Sequence, residues 1–130
     1  MKHILIPTMV LLAYPALAQD TSPQALIDLY STEAGAAPSP QDGQALFLAT
    51  HSGGKPDTPS CTTCHTADPT KGGQARTGKP IDPLAPGVNA ERFNDTKFVE
   101  KWFGRNCNSV LGRACSAQEK ADIISWLKSL

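Results

Sequence analysis

The sequence predicts an all-α domain of four or five short helices wrapped around a bound group. Three observations predict it. Cap residues and prolines mark several helix starts. No segment alternates polar and apolar residues as a half-buried strand does. The loop text between the helices is also too long for the apolar mass around it, and loops of that length in a small domain usually serve function.

The first helix is read in TSPQALIDLYSTEAG, where Thr21 and Ser22 are cap-type residues and Pro23 takes the first helical position. Leu26, Ile27, Leu29 and Tyr30 supply its apolar face, and Gly35 ends it. AAPSPQDGQALFLAT repeats this grammar with Ser39 as N-cap, Pro40 after it and Asp42 in the first turn. Ala45, Leu46, Leu48 and Ala49 run along that helix. Residues 51–87 are rich in Pro, Gly and polar residues and read as loop. A short helix covers Asp95 to Phe103, started by Asn94 or Asp95 and stopped by Gly104. The last helix opens with a capping box, Ser116 to Glu119, and carries Ile123, Ile124 and Leu127 at helical spacing with Trp126 alongside.

The N-terminus divides the chain. MKHILIPTMVLLAYPALAQD has a basic start at Lys2, an apolar run from Ile4 to Ala13, and a small-x-small site at Ala16-Leu17-Ala18. That pattern reads as a secretory signal over 1–18, cleaved near Ala18, too short to span a membrane stably. A periplasmic domain over 19–130 follows. Of 12 basic and 12 acidic residues, the loss of Lys2 leaves 11 against 12. No strong single-sign field results, so neither nucleic acid nor an anionic membrane is indicated as a partner. Met1 and Met9, the two methionines, leave with the signal. The histidines that remain are His51 and His65.

Cys61-Thr62-Thr63-Cys64-His65 is C-x-x-C-H. Two thiols one helical turn apart can add to the two vinyl groups on one edge of a haem, and the next residue presents its imidazole to the iron. A thioredoxin-type dithiol would sit in a βαβ context, which this text lacks. A zinc site made from Cys61, Cys64, Cys107 and Cys115 has no usual finger spacing. Export favours the haem reading, because unattached thiols would oxidise. One covalently bound haem c also supplies the missing core, with Leu46, Phe47, Leu84, Phe98, Trp102, Ile123, Ile124 and Leu127 as wall residues. The arrangement resembles a class I cytochrome c, in which a helix carrying Gly43 and Phe47 precedes the attachment site and a C-terminal helix crosses it.

Methionine is the usual second axial ligand in such proteins, and the 19–130 domain has none. The residues leave several replacements open. His51 lies close before Cys61 on the side leading into the attachment site. Lysines such as Lys79 and Lys97 would need burial to lose their protons. Asn106 and Asn108 flank Cys107 near a Gly-rich bend, where asparagines also serve turns.

GGKPDTPSCTTCH, ARTGKPIDPLAP and VEKWFGRNCNSVLGRAC together resemble the sphaeroides haem protein (SHP) family of oxygen-binding c-type cytochromes, over nearly all of the exported domain. The resemblance implies thioether attachment at Cys61 and Cys64, a proximal His65, a distal Asn106, and a Cys107–Cys115 disulfide bordering the pocket. It carries no role for His51. It also implies that the asparagine is released on reduction, leaving ferrous haem open to O2, NO or CO. Electrons would come from a dihaem or other multihaem cytochrome c and could pass on to oxygen. The alternative is a plain electron carrier, six-coordinate in both oxidation states. No catalytic acid or base is nominated; Arg105 and Arg113 read as surface or propionate-pairing residues.

Overall fold

Ser22 starts the first helix as its cap chemistry dictates. Its hydroxyl accepts from the Ala25 amide at 3.1 Å, Pro23 follows, and helix α1 runs over Pro23–Ala34. Gly35 closes it at φ 68°, a left-handed position that favours glycine. The computed structural model describes residues 19–130; the secretory segment read at 1–18 lies outside the described residues. Leu26, Ile27 and Tyr30 turn inward, whereas Leu29 is exposed. The inward face of α1 is thus narrower than its apolar residues suggest.

Helix α2 spans Pro40–Leu48 with Ser39 as its cap. Its buried positions are Gly43 and Phe47, and Leu48 points outward. Helix α3 is the single turn Thr62–His65. Two-residue strands β1 (Gly73–Gln74) and β2 (Pro80–Ile81) pair antiparallel within the text read as pure loop. Alternation has no length in which to register there, and the Ala75–Lys79 and Gly78–Ala75 backbone bonds, 2.8 Å each, make the hairpin.

Helix α4 covers Thr96–Leu111, capped by Asp95, whose carboxylate accepts from the Phe98 amide at 2.8 Å. Gly104 does not stop it. This glycine lies inside the helix, exposed and with nothing near its missing Cβ. A mid-helix glycine costs only about 1 kcal/mol, which burial of Val99, Cys107 and Val110 outweighs. The stop falls at Gly112, φ 71°. Asn106, Cys107 and Asn108 are therefore helical rather than in a bend.

Helix α5, Ala117–Lys128, forms the capping box: Glu119 N–H donates to the Ser116 hydroxyl at 3.1 Å, and Ser116 N–H donates to the Glu119 carboxylate at 2.8 Å. α5 packs against both α1 and α2. One side meets Leu26, Ile27, Tyr30 and Val99 through Ala121 and Ile124. The other joins Phe47 through Ile123, Trp126 and Leu127. The α2–α5 crossing depends on Gly43, where a Cβ would collide with the Asp122 carbonyl. Asp122 is buried, and its Oδ1 accepts from the Ser39 amide at 2.6 Å and from Gln118 Nε2 at 2.7 Å. A second polar clamp joins α1 to α4 and α5: the Tyr30 hydroxyl donates to Glu100, and Lys120 Nζ donates to the same carboxylate at 2.9 Å.

Candidate functional site

The segment entering α3 is fixed before the first thiol. The Ser60 hydroxyl, buried, accepts from the Thr62 amide at 3.2 Å, and the His65 amide donates to the Cys61 carbonyl at 3.1 Å. One tight turn thus holds Cys61, Cys64 and His65 together. Gly73 packs behind it, where a Cβ would strike the Cys64 carbonyl. The thiols of Cys61 and Cys64 are unpaired and half-buried.

These three residues line a cavity of about 410 Å³. The other walls come from α2, α4, α5 and the 79–93 segment. Leu46, Phe47, Leu84, Phe98, Trp102, Ile123 and Leu127 all line it. Ile124, assigned to the same wall from sequence, does not; it is fully buried on the α1 side of α5, one residue around the helix from Ile123. Phe93 and Phe103 reach the cavity and pack on both core clusters. The sequence marked neither, because Phe93 lies in a loop and Phe103 stood at a supposed helix end.

Burial sets the electrostatics. The His65 imidazole is pushed down to about 4, first by burial and then by the Arg92 guanidinium, so the ring is neutral near pH 7 and its nitrogen lone pair is available. Its ring centroid lies 6.1 Å from that of Phe47. Burial pushes the Cys61 thiol up to about 11.

The two candidate asparagines separate in space. Asn106 is half-buried and lines the cavity; Asn108 is exposed and outside it. Cys107 and Cys115 also line the cavity and are joined to each other as a disulfide, with Cα atoms 5.5 Å apart. Neither is therefore available to a zinc ion. His51 is not part of the wall: its Nε2 lies 2.9 Å from the Leu46 carbonyl, closing the end of α2. Lys97 is exposed, and Lys79 is exposed at the cavity rim. Arg105 stacks over the Trp102 ring, and Arg113 forms a two-point ion pair with Glu119.

A haem fits this donor set. The cavity is mostly apolar, two thiols and a neutral imidazole project from one turn, and an uncharged amide stands in its wall. Among the described residues there is no methionine.

Comparison with known proteins agrees with the geometry. A domain of unknown function (DUF1924) matches residues 33–127. The cytochrome c-type protein SHP of Cereibacter sphaeroides is 60% identical over 127 residues, covering 98% of each chain. Cytochrome c'' of Methylophilus methylotrophus is 38% identical over 133 residues, covering 97% of this chain and 92% of that one. Among solved structures, oxidised SHP, described as an oxygen-binding cytochrome c, superposes with a TM-score of 0.83 at 59% identity, covering 85% of this chain and 99% of that one. Oxidised cytochrome c'' gives 0.72 at 37% identity, covering 82% and 93%. The chain belongs to the SHP family of c-type cytochromes, all-α proteins that carry one covalently bound haem c.

Proposed function

We propose that this chain is an exported, periplasmic monohaem cytochrome that binds small gases at a position Asn106 holds in the ferric protein and leaves on reduction. The observation that carries the reading is the placement of Asn106 in the wall of the cavity that Cys61, Cys64 and His65 also line, with Asn108 outside it. Bound haem supplies an iron that alternates between ferric and ferrous and takes a diatomic ligand when ferrous. Cys61 and Cys64 would hold the group by thioether bonds. His65 would offer the iron a neutral ring nitrogen, which its burial preserves over the whole neutral pH range.

Asn106 brings an amide oxygen, a hard and uncharged donor that favours ferric over ferrous iron and dissociates easily. Its backbone is held while the side chain moves. The next residue is tied to Cys115, and the end of α4 is braced by the 51–60 loop, where the Lys55 amide donates to the Ser109 carbonyl at 2.7 Å. Thr58 Oγ1 adds a 2.7 Å bond to the Ser109 hydroxyl. After release, the amide NH2 would offer two donors to a gas bound in the cavity that Asn106 lines. Two relatives support the reading: oxidised SHP is described as oxygen-binding, and the solution structure of cytochrome c'' is described in terms of haem-ligand detachment. Electrons come from a dihaem or other multihaem cytochrome c.

Asn106→Ala tests the assignment. The variant is expected to give high-spin ferric haem at neutral pH while still carrying covalent haem. Retention of the wild-type ferric spectrum would overturn the assignment.

A further inference from the structure

Arg92 lies in the wall of the same cavity, half-buried. Its side chain is fixed from behind. Nε donates to the Pro83 carbonyl at 2.9 Å and Nη2 to the Asp82 carbonyl at 2.6 Å. Asn89 Nδ2 donates to the same Pro83 carbonyl at 3.1 Å, so the turn that receives Arg92 is itself held. These acceptors are neutral backbone oxygens.

No carboxylate stands within ion-pair distance of Arg92 among the described residues. Their ion pairs are Arg76–Asp57, Arg113–Glu119 and Lys120–Glu100. The other charged side chains at the cavity wall are Lys79 and Asp82, both exposed; the Asp82 carboxylate acts on Arg92 through space but makes no ion pair with it. A guanidinium carries five N–H donors in a rigid fork, and two of them are used. A cation held in a mostly apolar cavity with donors to spare is matched by an anion. The planar fork matches a carboxylate, and a haem placed in this cavity brings two of them. Arg105 and Arg113 do not meet this description, since one rests on the exposed Trp102 ring and the other is already paired.

We infer that Arg92 is the anion-binding residue of the haem site: its free N–H groups take a propionate carboxylate and thereby raise the haem reduction potential. The inference rests on the reading of this cavity as the haem site. An unpaired propionate stabilises ferric iron by its negative charge in a medium of low dielectric. Pairing it with Arg92 cancels that preference and favours the ferrous form, the state in which the distal position opens. Arg92 acts as a positioning and charge-balancing residue; it does not touch the iron.

The test uses haem-loaded wild type, Arg92→Lys and Arg92→Gln. Each is equilibrated with a redox dye at fixed ambient potential, and the ferric-to-ferrous ratio is read by absorbance from pH 5 to pH 8. Arg92→Gln is expected to shift the ratio about tenfold toward ferric at pH 7, equivalent to 59 mV for one electron. Its ratio also gains pH dependence in this window, because a propionate without its cation titrates closer to neutrality. Arg92→Lys keeps the charge and is expected within about threefold of wild type, which a role in shaping the loop alone would not produce. An unchanged ratio and pH profile in haem-loaded Arg92→Gln, with only a lower melting temperature, would overturn this assignment and leave the haem reading standing. A wild-type ratio that moves with added acetate would overturn it too, since a free carboxylate would then be the ligand. Wild type without covalently retained Soret absorbance would overturn both readings.

Discussion

The Cys107–Cys115 bridge offers the most quantitative test of how the distal wall is held. Replacing both residues by alanine opens a crosslink across a sequence separation of 8. In the chain-entropy account, closing a loop of that size contributes about 2.5 kcal/mol. Both cysteines are buried, at 6% and 8% exposure, so removing two sulfurs also costs about 1 kcal/mol in packing. The expected loss is about 3.5 kcal/mol, which for a domain of this size lowers the melting temperature by about 10–15 °C. The fold should survive at 25 °C, because Lys55 and Thr58 still brace Ser109 at the end of α4. Two readouts on the haem-loaded protein therefore separate the roles. Guanidinium unfolding gives the stability change, and the ferric spectrum of the folded variant gives the fraction with the distal position filled. A positioning role predicts a partly high-spin ferric spectrum at 25 °C alongside the lost stability. A loss below about 1 kcal/mol with an unchanged denaturant slope would refute the energetic argument, and a wild-type ferric spectrum would refute the positioning argument.

Other outcomes follow from single contacts. Gly104→Ala should stabilise the protein by about 0.5–1 kcal/mol, since the position is exposed, helical and open; a destabilised variant in thermal melts would contradict the continuous α4. Gly43→Ala should do the reverse, costing about 3 kcal/mol or preventing accumulation of haem-loaded protein, because its Cβ would push α2 off the Asp122 carbonyl; a normal melting temperature would contradict that crossing. Tyr30 is the one tyrosine of the described chain. Burial, and then the hydrogen bond to Glu100, hold its phenol well above the ordinary range. Its ionisation should therefore be absent from ultraviolet difference spectra up to pH 11. Because the folded value is the higher one, this contribution is complete below pH 10 and is lost as pH rises beyond it; phenolate appearing near pH 10 in the folded protein would contradict the clamp.

Much of this molecule is written in local chemistry. Ser22-Pro23, Ser39-Pro40 and the Ser116–Glu119 box mark three helix starts because each cap is satisfied within four residues. The haem attachment is equally local, one turn of helix. What escaped sequence reasoning was decided at long range. Gly104 reads as a stop, but α4 continues because tertiary burial of Cys107 and Val110 outweighs one glycine. Ile124 and Ile123 read as one face, yet α5 is packed on two sides and sends them to different cores. The Tyr30–Glu100 bond joins residues 70 apart and leaves no spacing signal. Arg92 stood in polar loop text with nothing to distinguish it from other surface arginines; only the fold turns it toward the cavity. Asn106 and Asn108 are alike in sequence context and differ by roughly 200° around one helix, which is why one reaches the cavity and the other faces solvent.

Absorption spectra of the purified protein in its ferric, ferrous and CO-treated ferrous forms decide whether the distal position of the haem opens on reduction. If it opens, the ferric haem is low-spin, the ferrous spectrum is high-spin without a sixth ligand, and adding CO produces a large Soret change. A low-spin ferrous spectrum unaltered by CO would contradict that opening and identify a six-coordinate electron carrier.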